Sequence, residues 1–143
     1  MDDAGEFKAS SLADLERLVA FVEQHCELAG ADADSRFALH LATEEAFINI
    51  MQHGYGAGGG PVTVKLQVQG RRITLTLRDQ ARPFDPTSVP APDLGADWQQ
   101  RAVGGLGLHL VQSMMNEVRY ESDAGRENVL TLVKDFSGAA TRP

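Results

Sequence analysis

The sequence predicts a two-layer α/β (α+β) sandwich, in which helices cover one face of a mixed, mostly antiparallel β-sheet. Two observations support this fold class. Apolar residues recur at helical spacing as far as residue 53, and from residue 62 they alternate with polar ones, as in strands with one buried face. The predicted order is helix, helix, strand, strand, loop, helix, strand, strand, and helices on one side of a sheet give two layers.

The first third of the chain predicts two helices after a loose or edge segment that ends at Lys8. The first helix covers about residues 12–30, and the second covers about residues 35–53. Each stops at a glycine, Gly30 and Gly54 respectively, as helices commonly do.

A hairpin follows, because residues 62–68 and 73–77 alternate in polarity on either side of a glycine turn. From residue 80 to residue 103 the periodicity disappears and prolines accumulate, which indicates a long loop with a short helix near 94–100. A third helix to about Met115 and two further strands complete the predicted elements.

Length and composition restrict the class of protein. The chain has 143 residues, of which 43% are hydrophobic and 23% charged, as expected for one globular domain over residues 1–143. A net charge of −7 argues against direct nucleic-acid binding, because an acidic domain repels phosphate. The single cysteine, Cys26, cannot form an internal disulfide and is interpreted as a small buried hydrophobe. With no signal-peptide pattern and no run of about 20 apolar residues, we expect a cytoplasmic protein that does not enter membranes.

The second predicted helix carries an unusual stripe. Leu41, Glu45, Asn49 and His53 are four residues apart and therefore share one helix face. A half-buried glutamate next to an asparagine costs free energy unless both have partners. The stripe is either part of a site or the edge of a polar face.

Two later segments carry groups that suit a ligand. Asp79 follows a predicted strand and opens the Pro-rich loop, where a carboxylate serves a ligand or a turn. Glycines at 104–107 precede a helix, and helix N-termini favour anions such as phosphate. A carboxylate can accept a hydrogen bond from adenine, an asparagine oxygen can ligate Mg²⁺, and a glutamate can deprotonate a hydroxyl. Together the three segments indicate a nucleotide site.

In these segments the chain resembles the GHKL (Bergerat-fold) ATPases, and within them the small anti-sigma factor serine/threonine kinases of bacteria. Residues 45–55 resemble their N box, residues 79–85 their G1 box and residues 104–111 their G2 box, in the same order and spacing. The resemblance covers about residues 9–136. It implies the Bergerat ATP-binding fold, with an ATP lid over about residues 84–103.

The resemblance also implies residue roles. Glu45 would act as the general base, Asn49 would bind Mg²⁺, and Asp79 would accept a hydrogen bond from the adenine amino group. His53 would lie near the phosphates or cap its helix, and Thr131 would contact adenine through water or be a buried strand threonine. The other ATP-binding positions would be Ala81, Phe84, Gly104, Gly105, Leu106, Gly107 and Leu108. Arg101, just before the glycines, either reaches a phosphate or is solvated.

One position departs from the family pattern. The G1 box usually reads Asp-x-Gly, and here the third position is Ala81. A methyl group there is tolerated where the backbone φ is negative, or it weakens ATP binding.

The resemblance implies a kinase that transfers phosphate from Mg-ATP to a STAS-type anti-sigma factor antagonist, and that also holds a sigma factor. It is compatible with a homodimer. An alternative is a regulatory module that binds nucleotide and sequesters a partner without phosphoryl transfer. A third reading is an interaction domain with a degenerate, empty pocket.

Overall fold

The computed structural model describes residues 2–83, 111–123 and 126–137, and within these ranges the predicted two-layer α/β sandwich is confirmed. The strands are β1 (Asp3–Ala9), β2 (Val62–Gln69), β3 (Arg72–Asp79), β4 (Glu117–Asp123) and β5 (Glu127–Asp135). The long helices are α1 (Leu15–Ala29) and α2 (Ala33–Asn49). A 3₁₀ turn, Leu12–Asp14, leads into α1, and a π-helical turn, Ile50–Tyr55, continues α2.

The sheet has the strand order β1-β2-β3-β5-β4, and every pairing among these five strands is antiparallel. The segment ahead of Lys8, expected to be loose or at an edge, is the edge strand β1. Its sequence has no β-branched residue, so strand propensity gives little signal there. Pairing with β2, in which Phe7 lies opposite Val64, makes it a strand.

The core lies between one face of the sheet and the two helices. Alternate residues of β2 and β3 point into it, as the two-residue period predicts. These strand residues are Val62, Val64, Leu66, Val68, Ile73, Leu75 and Leu77. The helices contribute Leu18, Val22, Cys26, Leu39 and Phe47. Burial raises the pKa of the Cys26 thiol to about 11, so it remains neutral, as predicted for a small buried hydrophobe.

The ends of the elements follow the expected glycines. Gly30 ends α1 with a φ of 75°, and Gly70 turns the β2–β3 hairpin with a φ of 60°, both in the left-handed region that favours glycine. Residues 111–114 are helical and belong to the third predicted helix. Its start, the short helix near 94–100 and the lid over 84–103 lie outside the described residues. No helix in the described ranges is long and apolar enough to cross a membrane.

Candidate nucleotide-binding site

Asn49, the last residue of α2, is buried with its side-chain amide next to Glu45. The residue is 6% exposed, and its Nδ2 donates to the backbone carbonyl of Glu45 at 2.9 Å. Its Oδ1 is buried and has no hydrogen-bond partner among the residues that the structure describes. A buried carbonyl oxygen without a partner costs free energy in the absence of a ligand.

A single amide oxygen of this kind is compatible with a magnesium ion. Mg²⁺ prefers oxygen ligands and commonly keeps several waters and substrate phosphates in its shell, with one or two protein ligands. Within the described ranges, no cluster of three or more His, Cys, Asp or Glu forms a self-sufficient metal site. Asn49 Oδ1 therefore suits a magnesium ion whose other ligands come largely from the nucleotide and water, with a single protein oxygen completing the shell.

Glu45 lies one helical turn before Asn49. Its side chain is half-buried, and burial is the main cause that raises its pKa, with the nearby charge of Glu44 as a smaller one. A carboxylate with a raised pKa is a stronger base than a solvated one. The pair therefore places a half-buried carboxylate and an amide oxygen, which has no partner among the described residues, one turn apart on one helix.

Asp79 ends β3 with its side chain on the inward face, two residues after Leu77. It is 6% exposed, and its Oδ1 accepts hydrogen bonds from the backbone N–H of Ala81 at 2.9 Å and from Asn128 Nδ2 at 2.8 Å. Burial raises the pKa of Asp79, and these two hydrogen bonds oppose the rise without cancelling it. The result is a buried, oriented carboxylate at the end of a strand.

Asn128 is a site residue that sequence reasoning missed. It lies on β5 directly opposite Asp79 and is 2% exposed. Its Nδ2 also donates to the carbonyl of Ala81 at 2.9 Å, and its Oδ1 accepts from Ser122 Oγ at 2.7 Å. The alternation of β5 could have indicated it, because Asn128 is two residues before Leu130 and therefore lies on the same inward face of the strand.

Thr131 does not lie beside Asp79 and Asn128. It lies on β5 opposite Thr76, three residues beyond Asn128. Because successive strand residues point to opposite faces, its side chain is on the other face of the sheet from Asp79. The expected water-mediated contact with adenine has no support from this register, and Thr131 is the buried strand threonine of the competing reading.

The structure brings the end of the α2 segment against the residues after β3. The Tyr55 hydroxyl accepts from the backbone N–H of Gln80 at 2.8 Å and donates to the carbonyl of Pro61 at 2.6 Å. Arg82 Nη2 lies 3.5 Å from the carbonyl of His53, whose side chain is exposed. These contacts join the segment that carries Glu45 and Asn49 to the one that carries Asp79.

The turn that makes these contacts is π-helical, which corrects the prediction of a regular helix to residue 53. The α-helix therefore ends at Asn49, and His53 lies in the π-helical turn Ile50–Tyr55. The remaining predicted positions, Phe84, Arg101, Gly104, Gly105, Leu106, Gly107 and Leu108, lie outside the described residues.

Comparison of the sequence with models of known protein families gives a match that is consistent with this fold. The model of the histidine kinase-like ATPase domain matches residues 9–134. The chain belongs to this family.

Several curated relatives carry kinase or anti-sigma names. The chain is 29% identical over 98 residues to the serine-protein kinase RsbW of Listeria monocytogenes, covering 65% of this chain and 62% of that protein. It is 32% identical over 99 residues to the serine/threonine-protein kinase BtrW of Bordetella bronchiseptica, covering 68% of each. It is 27% identical over 104 residues to the anti-sigma F factor of Clostridium acetobutylicum, again covering 68% of each. The matched region thus spans about two thirds of these relatives' length.

A solved structure of the RsbU and RsbW domains of a Mycobacterium tuberculosis protein has the same fold. The superposition gives a TM-score of 0.64 at 17% sequence identity and covers 97% of this chain and 33% of that one. At this identity the likeness supports the fold alone.

Proposed function

We propose that this chain binds Mg-ATP and transfers the γ-phosphoryl group to a serine or threonine of a small STAS-type antagonist protein, and that it also sequesters a sigma factor. The single observation that carries the proposal is the buried Asn49 Oδ1, which has no partner among the described residues and lies one turn after the half-buried Glu45. The kinase and anti-sigma names of the relatives support the same function.

Each residue has a task in this reaction. Asn49 Oδ1 would ligate Mg²⁺, which when bound neutralises charge on the phosphates. Asp79 would accept a hydrogen bond from the adenine amino group and so orient the base. By resemblance, the glycines at 104–107 would hold the phosphates, and His53 would lie near them.

Glu45 would remove the proton from the attacking hydroxyl. The hydroxyl oxygen forms a bond to the γ-phosphorus, and the bond from that phosphorus to the β,γ-bridging oxygen breaks. ADP leaves with the electron pair, and the proton passes to Glu45. Burial raises the pKa of Glu45, which makes it a stronger base than a solvated carboxylate.

Calorimetry with ATP, with and without Mg²⁺, tests the nucleotide site. Asn49→Ala removes the proposed magnesium ligand, and Gln67→Ala, an exposed amide on β2, serves as the matched control. We expect binding that requires Mg²⁺, is lost in Asn49→Ala and is unchanged in Gln67→Ala. A folded wild-type protein that does not bind ATP contradicts the proposal.

Transfer of labelled γ-phosphate to purified STAS-domain proteins tests the chemistry. We expect Glu45→Gln to bind Mg-ATP like the wild type and to transfer phosphate at least about a hundredfold more slowly, as for loss of a general base.

The alternative, a module that sequesters a partner with nucleotide as a conformational ligand, is motivated by Ala81 in the G1 box. Regulation that survives Glu45→Ala and is abolished by Asn49→Ala would favour that alternative.

A further inference from the structure

We infer that Asn128 is the positioning residue that directs the Asp79 carboxylate toward a base with an amino group, and so sets the preference for ATP over GTP. The inference rests on the proposed nucleotide site. It concerns a residue outside the three boxes.

The hydrogen bonds of Asn128 allow one orientation of its amide. Nδ2 faces two acceptors, Asp79 Oδ1 at 2.8 Å and the Ala81 carbonyl at 2.9 Å. Oδ1 faces the hydroxyl of Ser122 at 2.7 Å. A flipped amide would place its oxygen against both acceptors, which is repulsive in a site where Asn128 is 2% exposed.

This arrangement also determines what Asp79 can do. Oδ1 already accepts two hydrogen bonds, one from Asn128 and one from the Ala81 N–H. Both donors favour the ionised carboxylate and fix its plane. A carboxylate held in this way can accept further hydrogen bonds but cannot donate one. Adenine presents an amino group where guanine presents a carbonyl oxygen, so the carboxylate favours adenine.

Asn128→Asp is the most informative variant, because it keeps the shape and removes the donor. Two facing carboxylates would share one proton, and their titration would be coupled. At high pH they repel each other and Asp79 is turned away from the base. As the pH falls, a protonated Asp at 128 regains a donor and restores the bond to Asp79.

The experiment measures the dissociation constants for Mg-ATP and Mg-GTP between pH 6 and pH 8.5, in wild type, Asn128→Asp and the isosteric control Thr76→Val on the other sheet face. Circular dichroism verifies folding. For Asn128→Asp we expect ATP binding about tenfold weaker at pH 8, as for one lost charge-assisted hydrogen bond, with GTP binding nearly unchanged. The loss should shrink toward pH 6. Wild type and Thr76→Val should show no such recovery.

Two results overturn the inference while leaving the nucleotide site intact. One is equal weakening of ATP and GTP binding by Asn128→Asp, and the other is an ATP loss that does not depend on pH. If Asn128→Asp does not fold, Asn128→Leu decides: it keeps the size of the side chain and removes the donor to Asp79 Oδ1, and an unchanged ratio of ATP to GTP affinity contradicts the inference. A wild type that binds neither nucleotide contradicts the proposed function itself.

Discussion

The methyl group of Ala81 occupies the space next to Gly54: a Cβ built on Gly54 would lie 2.7 Å from Ala81 Cβ. Real Cβ atoms do not approach so closely, so only one of these two positions can carry a side chain without rearrangement. The resemblance leads one to expect glycine at 81. In this chain the methyl group is on the G1 side, and the glycine that accommodates it is at the end of the N box.

This contact predicts strong coupling between the two positions. Gly54→Ala should lower the free energy of unfolding by about 1–3 kcal/mol, the usual cost of overpacking. Most of the loss should disappear when Ala81→Gly is added. Urea unfolding of the two single variants and the double variant measures the coupling. Gly58→Ala is the matched control, since a Cβ there meets nothing within 4 Å. Additive losses would show that the methyl groups do not compete.

The ionised Asp79 should lower the stability of the folded protein at neutral pH, although its carboxylate serves the proposed ATP binding. Burial raises its pKa above the ordinary value of 3.8, so the folded state binds a proton more tightly than the unfolded state. The tighter proton binding of Asp79 stabilises the folded state. This stabilisation is full below the unfolded pKa and is lost as the pH rises through the folded pKa. At pH 7, Asp79→Asn, which keeps an oxygen acceptor, should raise the melting temperature, and the gain should vanish below about pH 4.

The same variant should weaken ATP binding, because an amide is a poorer acceptor than a carboxylate and its nitrogen cannot accept. Thermal unfolding between pH 3 and pH 8, together with calorimetry, measures both effects. The exposed Glu121→Gln on β4 is the control for removal of one negative charge. Lower stability of Asp79→Asn at pH 7 would contradict the prediction.

Tyr55 should hold the two halves of the site together through its hydroxyl. Tyr55→Phe keeps the ring and removes the bonds to Gln80 N–H and to the Pro61 carbonyl. We expect a loss of about 1–2 kcal/mol in the free energy of unfolding and weaker ATP binding. Amide hydrogen exchange should become faster at Gln80 and stay unchanged at Leu75 in the centre of β3. Unchanged exchange at Gln80 would show that the hydroxyl does not protect this end of the sheet.

The edge strand β1 should be held to α1 by an acid-sensitive pair. Asp3 Oδ2 lies 2.6 Å from His25 Nδ1, and this hydrogen bond is the main cause that lowers the pKa of Asp3. The stabilisation is therefore present above the unfolded pKa of 3.8 and is lost as the pH falls through the folded value. Asp3→Asn should reduce the acid dependence of unfolding below pH 4 and speed amide exchange at Phe7. An acid dependence equal to that of wild type would contradict this role.

The sequence predicted the positions of Glu45, Asn49 and Asp79 in the fold because the signals for them are local. Glu45 and Asn49 share a helix face through their spacing alone, and Asp79 ends a strand whose alternation is visible in the sequence. Gly30 and Gly70 marked an actual helix end and an actual turn. Such features depend on a few neighbouring residues, so one sequence is enough to indicate them.

What the sequence alone determined is the fold class, the two long helices and the hairpin, since each follows from periodicity or from a local motif. Only the tertiary structure decided that β1 is a strand, that a π-helical turn ends the α2 segment, and that Asn128 rather than Thr131 lies beside Asp79. These outcomes depend on pairing between segments far apart in the chain. A shift of one residue in register exchanges the two faces of a strand. The alternation of β5 places Asn128 and Leu130 on one face, but only the pairing with β3 brings Asn128 opposite Asp79.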